Sequence, residues 1–162
     1  MPLRYADLLA QARAAVRELM PWDLAPQLAV AAPPLVLDVR EPAEFAALHI
    51  AGALNVPRGV LEQACEWDHD ETEPALAGLA DRADRADRTI VVVCRSGKRS
   101  LLAAHTLRQL GYEGAVSLAT SLRGWNHAEQ PLVDAQGQPV DGDTAEALLA
   151  PRLRPEQRRP RG

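Results

Sequence analysis

The run Val91-Val92-Val93-Cys94-Arg95-Ser96-Gly97-Lys98-Arg99-Ser100 places one cysteine where nucleophilic chemistry is favoured. The apolar stretch from Thr89 to Val93 reads as a buried strand that ends on Cys94, and the pattern from Leu101 to Leu110 reads as a helix. A small, basic, glycine-containing loop between them aims its N–H groups, and the positive end of the helix dipole, at the sulfur. Arg95, Lys98 and Arg99 add cationic side chains beside it. All of these effects stabilise negative charge on sulfur, and the thiolate is the nucleophilic form. Cys94 is therefore the candidate catalytic residue. Arg95, Ser96, Gly97, Lys98, Arg99 and Ser100 form a candidate anion-binding loop.

Other chemistry-bearing residues read more plainly. Cys65 lies beside Ala64 and Trp67 with no cation near it in sequence, as a structural thiol would. His49 reads as a hydrogen-bonded structural residue. His105 falls on the side of its helix away from Ser100, Ala103, Ala104 and Leu107 and reads as exposed. His69 sits between two aspartates, but no second histidine or cysteine lies at ligand spacing, so no metal site is expected. Gly97-Lys98 is not part of a phosphate-binding P-loop, because the position five residues earlier is Val92. Trp125 reads as core or site wall.

The elements that must position Cys94 follow from hydrophobic pattern. Tyr5, Leu8, Leu9, Ala12, Val16 and Leu19 have helical spacing, Pro21 separates a second helix that runs to about residue 30, and Pro33-Pro34 ends it. Strands are expected at Leu35 to Val39, Ala53 to Val56, 89–93 and Ala115 to Leu118. Helices are expected after Glu41-Pro42, at Val60 to Trp67, Glu73 to Ala86, about 99–110 and Leu122 to Ala128, with one or two helical turns at Thr144 to Leu149. Short strands alternating with helices imply an α/β fold with a mostly parallel sheet covered on both faces. In such sheets ligands bind at the carboxyl ends of strands, where Cys94 lies.

The chain has 162 residues, 18 basic and 22 acidic, giving a net charge of −4. That length suits one domain, and the acidic balance argues against nucleic-acid binding. Leu8 to Leu19 is broken by Gln11, Arg13, Arg17 and Glu18, so it is expected to be neither a signal peptide nor a membrane span. Two cysteines make no disulfide framework, which suits a cytoplasmic protein with reduced thiols. From Ala150 onward the tail holds five arginines and one glutamate, among prolines, and is expected to be disordered.

Three motifs carry a family resemblance. Leu35-Val36-Leu37-Asp38-Val39-Arg40-Glu41-Pro42-Ala43-Glu44-Phe45 resembles the opening signature of rhodanese-like domains. His49-Ile50-Ala51-Gly52-Ala53-Leu54-Asn55-Val56-Pro57 is similar to their second signature, and Cys94 to Ser100 to their active-site loop. Gly111-Tyr112, Trp125 and Pro131 also fit. The resemblance implies a single-domain, rhodanese-like three-layer fold over 34–133, a helical extension over 1–33, and a largely disordered extension over 134–162. It implies a sulfurtransferase that needs no cofactor and no metal. A sulfane sulfur would pass from thiosulfate or a persulfide donor to Cys94, and then to a thiol, cyanide or a protein acceptor. It also implies that Asp38 and Arg40 support the loop, with Arg95 paired to Asp38.

Departures from the pattern refine these expectations. Thr120-Ser121 stands where the family often has a glycine pair, so a different turn is expected there. Glu44 and Ser96 stand where thiosulfate-preferring members are commonly basic, leaving Lys98 and Arg99 to hold an anion. Two other readings share the scaffold. A phosphatase or arsenate reductase would typically place its arginine one residue later than Arg99, and a non-catalytic recognition domain would lack the cysteine.

Overall fold

The computed structural model describes residues 1–82 and 87–161. Five parallel strands form one sheet in the order β1-β5-β4-β2-β3. They are β1 (Glu18–Leu19), β2 (Leu35–Asp38), β3 (Leu54–Asn55), β4 (Ile90–Val93) and β5 (Ala115–Leu118). The central strand β4 is wholly buried, and its side chains alternate between two cores. Ile90 and Val92 join one, Val91 and Val93 the other, as the period of two requires.

The first core lies under α1 (Tyr5–Ala15), α4 (Leu61–Ala64), α5 (Pro74–Ala80) and α6 (Lys98–Gln109). The second lies under α2 (Pro21–Leu28), α7 (Ser121–His127) and α8 (Gly142–Leu149). Tyr112 locks the first layer by donating its hydroxyl to Leu76 O at 3.1 Å. Trp125, 2% exposed, belongs to the second core and donates from Nε1 to Pro131 O at 2.9 Å. Prolines open three helices (α2, α5 and α3, Pro42–Ala47) at the position where a missing N–H costs nothing.

The structure departs from the sequence reading at several elements. The first helix stops at Ala15, and Leu19 is buried as part of β1, whose residues pair with Ser117 and Leu118. Pro21 forces the residue before it into the extended region, and an extended segment beside β5 covers what would otherwise be an open edge. The helix read over Val60 to Trp67 is a 3₁₀ turn at Arg58–Val60 followed by α4. The helix read to Ala86 ends at Ala80, and 83–86 lie outside the described residues. Residues 134–161 hold more order than expected. Asp141 caps α8 by accepting from the Thr144 N–H at 2.8 Å, and Ala145 and Leu149 bury against the second core. The turn or two of helix expected at Thr144 to Leu149 is there, beginning two residues earlier at Gly142. Beyond Ala150 the described residues are exposed, with a 3₁₀ turn at Pro155–Gln157.

Candidate active site

Cys94 follows the last residue of β4 at the carboxyl end of the sheet and is 1% exposed. The chain turns from it through Gly97, whose φ of 96° supplies the left-handed step into α6. Two loop N–H groups then converge on the sulfur. Gly97 N donates to Sγ at 3.1 Å and Ser100 N at 3.3 Å. The first turn of α6 therefore meets the sulfur with its unpaired N–H groups, where the helix dipole favours negative charge.

Beneath the sulfur lie three fully buried hydroxyls that the sequence reading missed, apart from Ser100. Ser100 Oγ is 3.4 Å from Sγ, 2.9 Å from Ser117 Oγ and 3.3 Å from Ser121 Oγ. Ser121 accepts from the Cys94 N–H at 2.9 Å and donates to Leu118 O at 3.1 Å. The Ser117 hydroxyl has Ser100 as its only hydrogen-bond partner among the described residues. With Ser117 donating, the Ser100 hydroxyl is free to donate to a charged sulfur. A visible signal existed: serine at an inward position of the otherwise apolar Ala115–Leu118 strand.

The turn at Thr120-Ser121 is left-handed. Thr120 and Ser121 both take positive φ, 62° and 46°, the conformation a glycine pair would supply. Non-glycine residues hold it at a cost of order 1–3 kcal/mol each. What offsets that strain is the clamp it forms. Leu122 N donates to Cys94 O at 3.1 Å and Arg123 N to Arg95 O at 3.0 Å, so the start of α7 grips the start of the loop. A Cβ on Gly97 would stand 3.1 Å from Thr120 N, which shows how closely loop and turn approach.

The charges are arranged differently from expectation. Asp38 is paired with Arg40, not with Arg95. Arg40 Nε and Nη2 reach the carboxylate at 2.9 and 2.7 Å, and Nη2 also donates to Leu48 O at 2.6 Å. Arg40 lies two residues past Asp38 at the end of the same strand, so its guanidinium folds back without crossing the loop. Both groups are buried, and together they fix the end of β2 beside β4. Arg95 is half-buried and has no ion-pair partner among the described residues. Lys98 is exposed at the first position of α6.

Arg99 is not free to hold an anion. Its two terminal nitrogens meet the two Glu44 oxygens at 2.8 and 2.9 Å. This guanidinium holds the Glu44 carboxyl down at about 2, opposed by partial burial and helped by the Glu41 N–H. Glu44 in turn raises the pKa of Arg99. His49 behaves as expected, bonded through Nδ1 to Phe45 O at 2.8 Å and stacked on the Phe45 ring. His105 is half-buried rather than exposed. Cys65 is a core thiol, pushed up to about 11 chiefly by burial.

Comparison with known proteins agrees with this geometry. The rhodanese-like domain family matches residues 23–128. A human thiosulfate:glutathione sulfurtransferase is 36% identical over 94 residues, which cover 58% of this chain and 80% of that protein. An adenylyltransferase and sulfurtransferase from Aspergillus terreus is 32% identical over 136 residues, 81% of this chain but only 28% of the relative. The chain thus spans most of the human relative's length and well under two thirds of the fungal one's. The solved structure of the human single domain sulfurtransferase TSTD1 superposes with a TM-score of 0.55 at 33% identity, covering 70% of this chain and 96% of that one. With β4, the cysteine loop and α6 all inside the matched span, the chain belongs to the rhodanese-like domain family, among the rhodanese-type sulfurtransferases.

Proposed function

We propose that the chain moves a sulfane sulfur through a persulfide on Cys94. The observation that carries this reading is the convergence of the Gly97 and Ser100 N–H groups on a buried cysteine sulfur at a strand end. In the first displacement the Cys94 thiolate attacks the outer sulfur of a donor such as thiosulfate. The Cys94 S–S bond forms, the donor's S–S bond breaks, and its electron pair leaves with sulfite. In the second, an acceptor thiolate or cyanide attacks the outer sulfur and Cys94 departs as a thiolate. Splitting the transfer in this way suits a nucleophile that is also a good leaving group. The N–H pair stabilises the negative charge that develops on Sγ in both steps.

Burial of the sulfur fits a donor that presents one sulfur atom end-on and shields the persulfide from stray thiols. The substrates are a small sulfur-donor anion or an organic persulfide on one side, and a thiol, cyanide or protein acceptor on the other. The Arg99–Glu44 pair favours the persulfide donor over thiosulfate, because it ties up the Arg99 guanidinium that would otherwise be free for a sulfonate. The same pair speaks against phosphatase or arsenate reductase chemistry, which needs that cation on the equatorial oxygens. The unit carrying this activity includes β1, α2 and α8 as well as residues 34–133. The two free cysteines suit a reducing compartment such as the cytoplasm. No helix among the described residues is long and apolar enough to cross a membrane.

Intact-mass measurement after incubation with thiosulfate or a low-molecular-weight persulfide tests the reading. One added sulfur is expected on the Cys94 peptide, removable by cyanide and absent in Cys94→Ser. Full sulfur transfer by Cys94→Ser, or robust aryl phosphatase activity that Cys94→Ser abolishes, overturns it.

A further inference from the structure

We propose that the segment after α8 forms, beside the cysteine loop, a subsite for the carboxylate of an organic thiol acceptor, with Arg152 as its specificity-determining residue. This rests on the sulfurtransferase reading and adds the substrate class. A cleft of about 580 Å³ is lined by Arg95 and Glu44 on one side and by residues 148–153 and Gln157 on another. The cleft meets the cysteine loop at Arg95, the residue that follows Cys94 in the chain. Its outer wall is built from residues beyond the 23–128 span that matches the family.

The charges in the cleft resolve into pairs and a remainder. Arg40 is satisfied by Asp38, and Glu44 by Arg99. Arg95 and Arg152 have no ion-pair partner among the described residues, which leaves the cleft cationic in a chain whose net charge is −4. Between these cations the walls are apolar, from Ala43 and Ala47 of α3 and from Leu148 and Leu153. Two guanidinium forks on a cleft with apolar walls match an organic molecule that carries one or two carboxylates. The volume is in the range that encloses a medium-sized organic ligand, far more than a thiosulfate ion fills.

The acceptor is the reactant that this cleft serves. Its thiolate R–S⁻ attacks the outer sulfur of Cys94–S–SH, forming the R–S–SH bond. The bond to Sγ breaks, its electron pair stays on Cys94 as the thiolate, and the outer sulfur keeps its hydrogen. A carboxylate held by Arg95 and Arg152 orients the attacking sulfur and raises its effective concentration at Cys94.

The test compares two acceptors with one thiol: glutathione and its diethyl ester, in which the carboxylates are masked. Steady-state KM values are measured for the full-length protein, Arg152→Gln and the control Arg158→Gln, whose arginine is exposed and does not line the cleft. The acid is expected to have the lower KM in the wild type. Arg152→Gln should shrink the ester-to-acid KM ratio about tenfold, the scale of one charge-assisted contact, and Arg158→Gln should keep the wild-type ratio. An unchanged ratio in Arg152→Gln, or an equal loss in Arg158→Gln, overturns the subsite. Calorimetric titration with S-methylglutathione and its diester reads the cleft without any sulfur transfer. Weaker binding of the acid alone in Arg152→Gln upholds the subsite, and equal change for both ligands refutes it. Failure of every acceptor, cyanide included, would instead refute the sulfurtransferase reading.

Discussion

Glu44→Gln is the substitution that separates stability from donor choice in this site. The carboxylate it removes is bound by Arg99 at 2.8 and 2.9 Å and is held ionised down to about pH 2. A depressed carboxyl contributes stability that is complete above the ordinary carboxylate range and lost as pH falls through the folded value. For Glu44 that window runs from about 4.5 down to about 2. Both side chains are more than a third exposed, at 37% and 36%, so screening limits the pair to about 0.5–1 kcal/mol. Urea unfolding should therefore show Glu44→Gln weaker by that amount at pH 7, with the gap closing near pH 2. The functional effect runs the other way. A freed Arg99 offers a thiosulfate sulfonate one charge-assisted contact, so KM for thiosulfate should fall about tenfold while kcat changes little. KM for a neutral organic persulfide should not follow. If thiosulfate KM rises in Glu44→Gln, the carboxylate positions the loop, and its pairing with Arg99 is not what sets donor choice.

Further outcomes follow from burial and hydrogen bonding. Arg40→Ala removes the counter-ion of Asp38, which is 0% exposed, and should cost about 3–5 kcal/mol in chemical denaturation. Ser117→Ala should fold with a loss of about 1 kcal/mol, yet slow sulfur loading of Cys94 several-fold, because Ser100 loses the donor that orients its hydroxyl. Cys65 should resist alkylation at pH 8 in the native protein and react only on unfolding. Its neutral thiol supports the fold below the free-thiol range, and that support should fade as pH rises towards about 11.

The parts of the molecule legible in the sequence are those fixed by local pattern. β4, the loop and α6 follow from an apolar run, a glycine and a helical stripe, and Pro42 marks the start of α3. The parts that are not legible depend on what the chain meets far away. Two residues of β1 carry no period, and only the open edge of β5 makes them a strand. Arg40 and Arg95 are equally basic as residue types, and the fold-back from the end of β2 decides which one takes Asp38. Residue preference alone argues against a left-handed turn at Thr120-Ser121, because the clamp on Cys94 and Arg95 that offsets the strain exists only in the fold. Arg99 reads as a free cation because Glu44, 55 residues away in sequence, becomes its neighbour only after folding.

The strand lengths have a consequence for how the protein behaves among its own copies. The sheet is four residues deep at its three inner strands but ends in two-residue strands on both sides, β1 and β3. A neighbouring molecule adding itself along either border would find two residues to pair with. Pro21 lies two residues beyond one of these strands and Pro57 two beyond the other, and neither can donate a further hydrogen bond. Short, proline-bounded borders are a recognised defence against edge-to-edge growth. The apolar β4 strand, the most aggregation-prone segment by composition, is thereby kept at the centre of the sheet, two strands from either border.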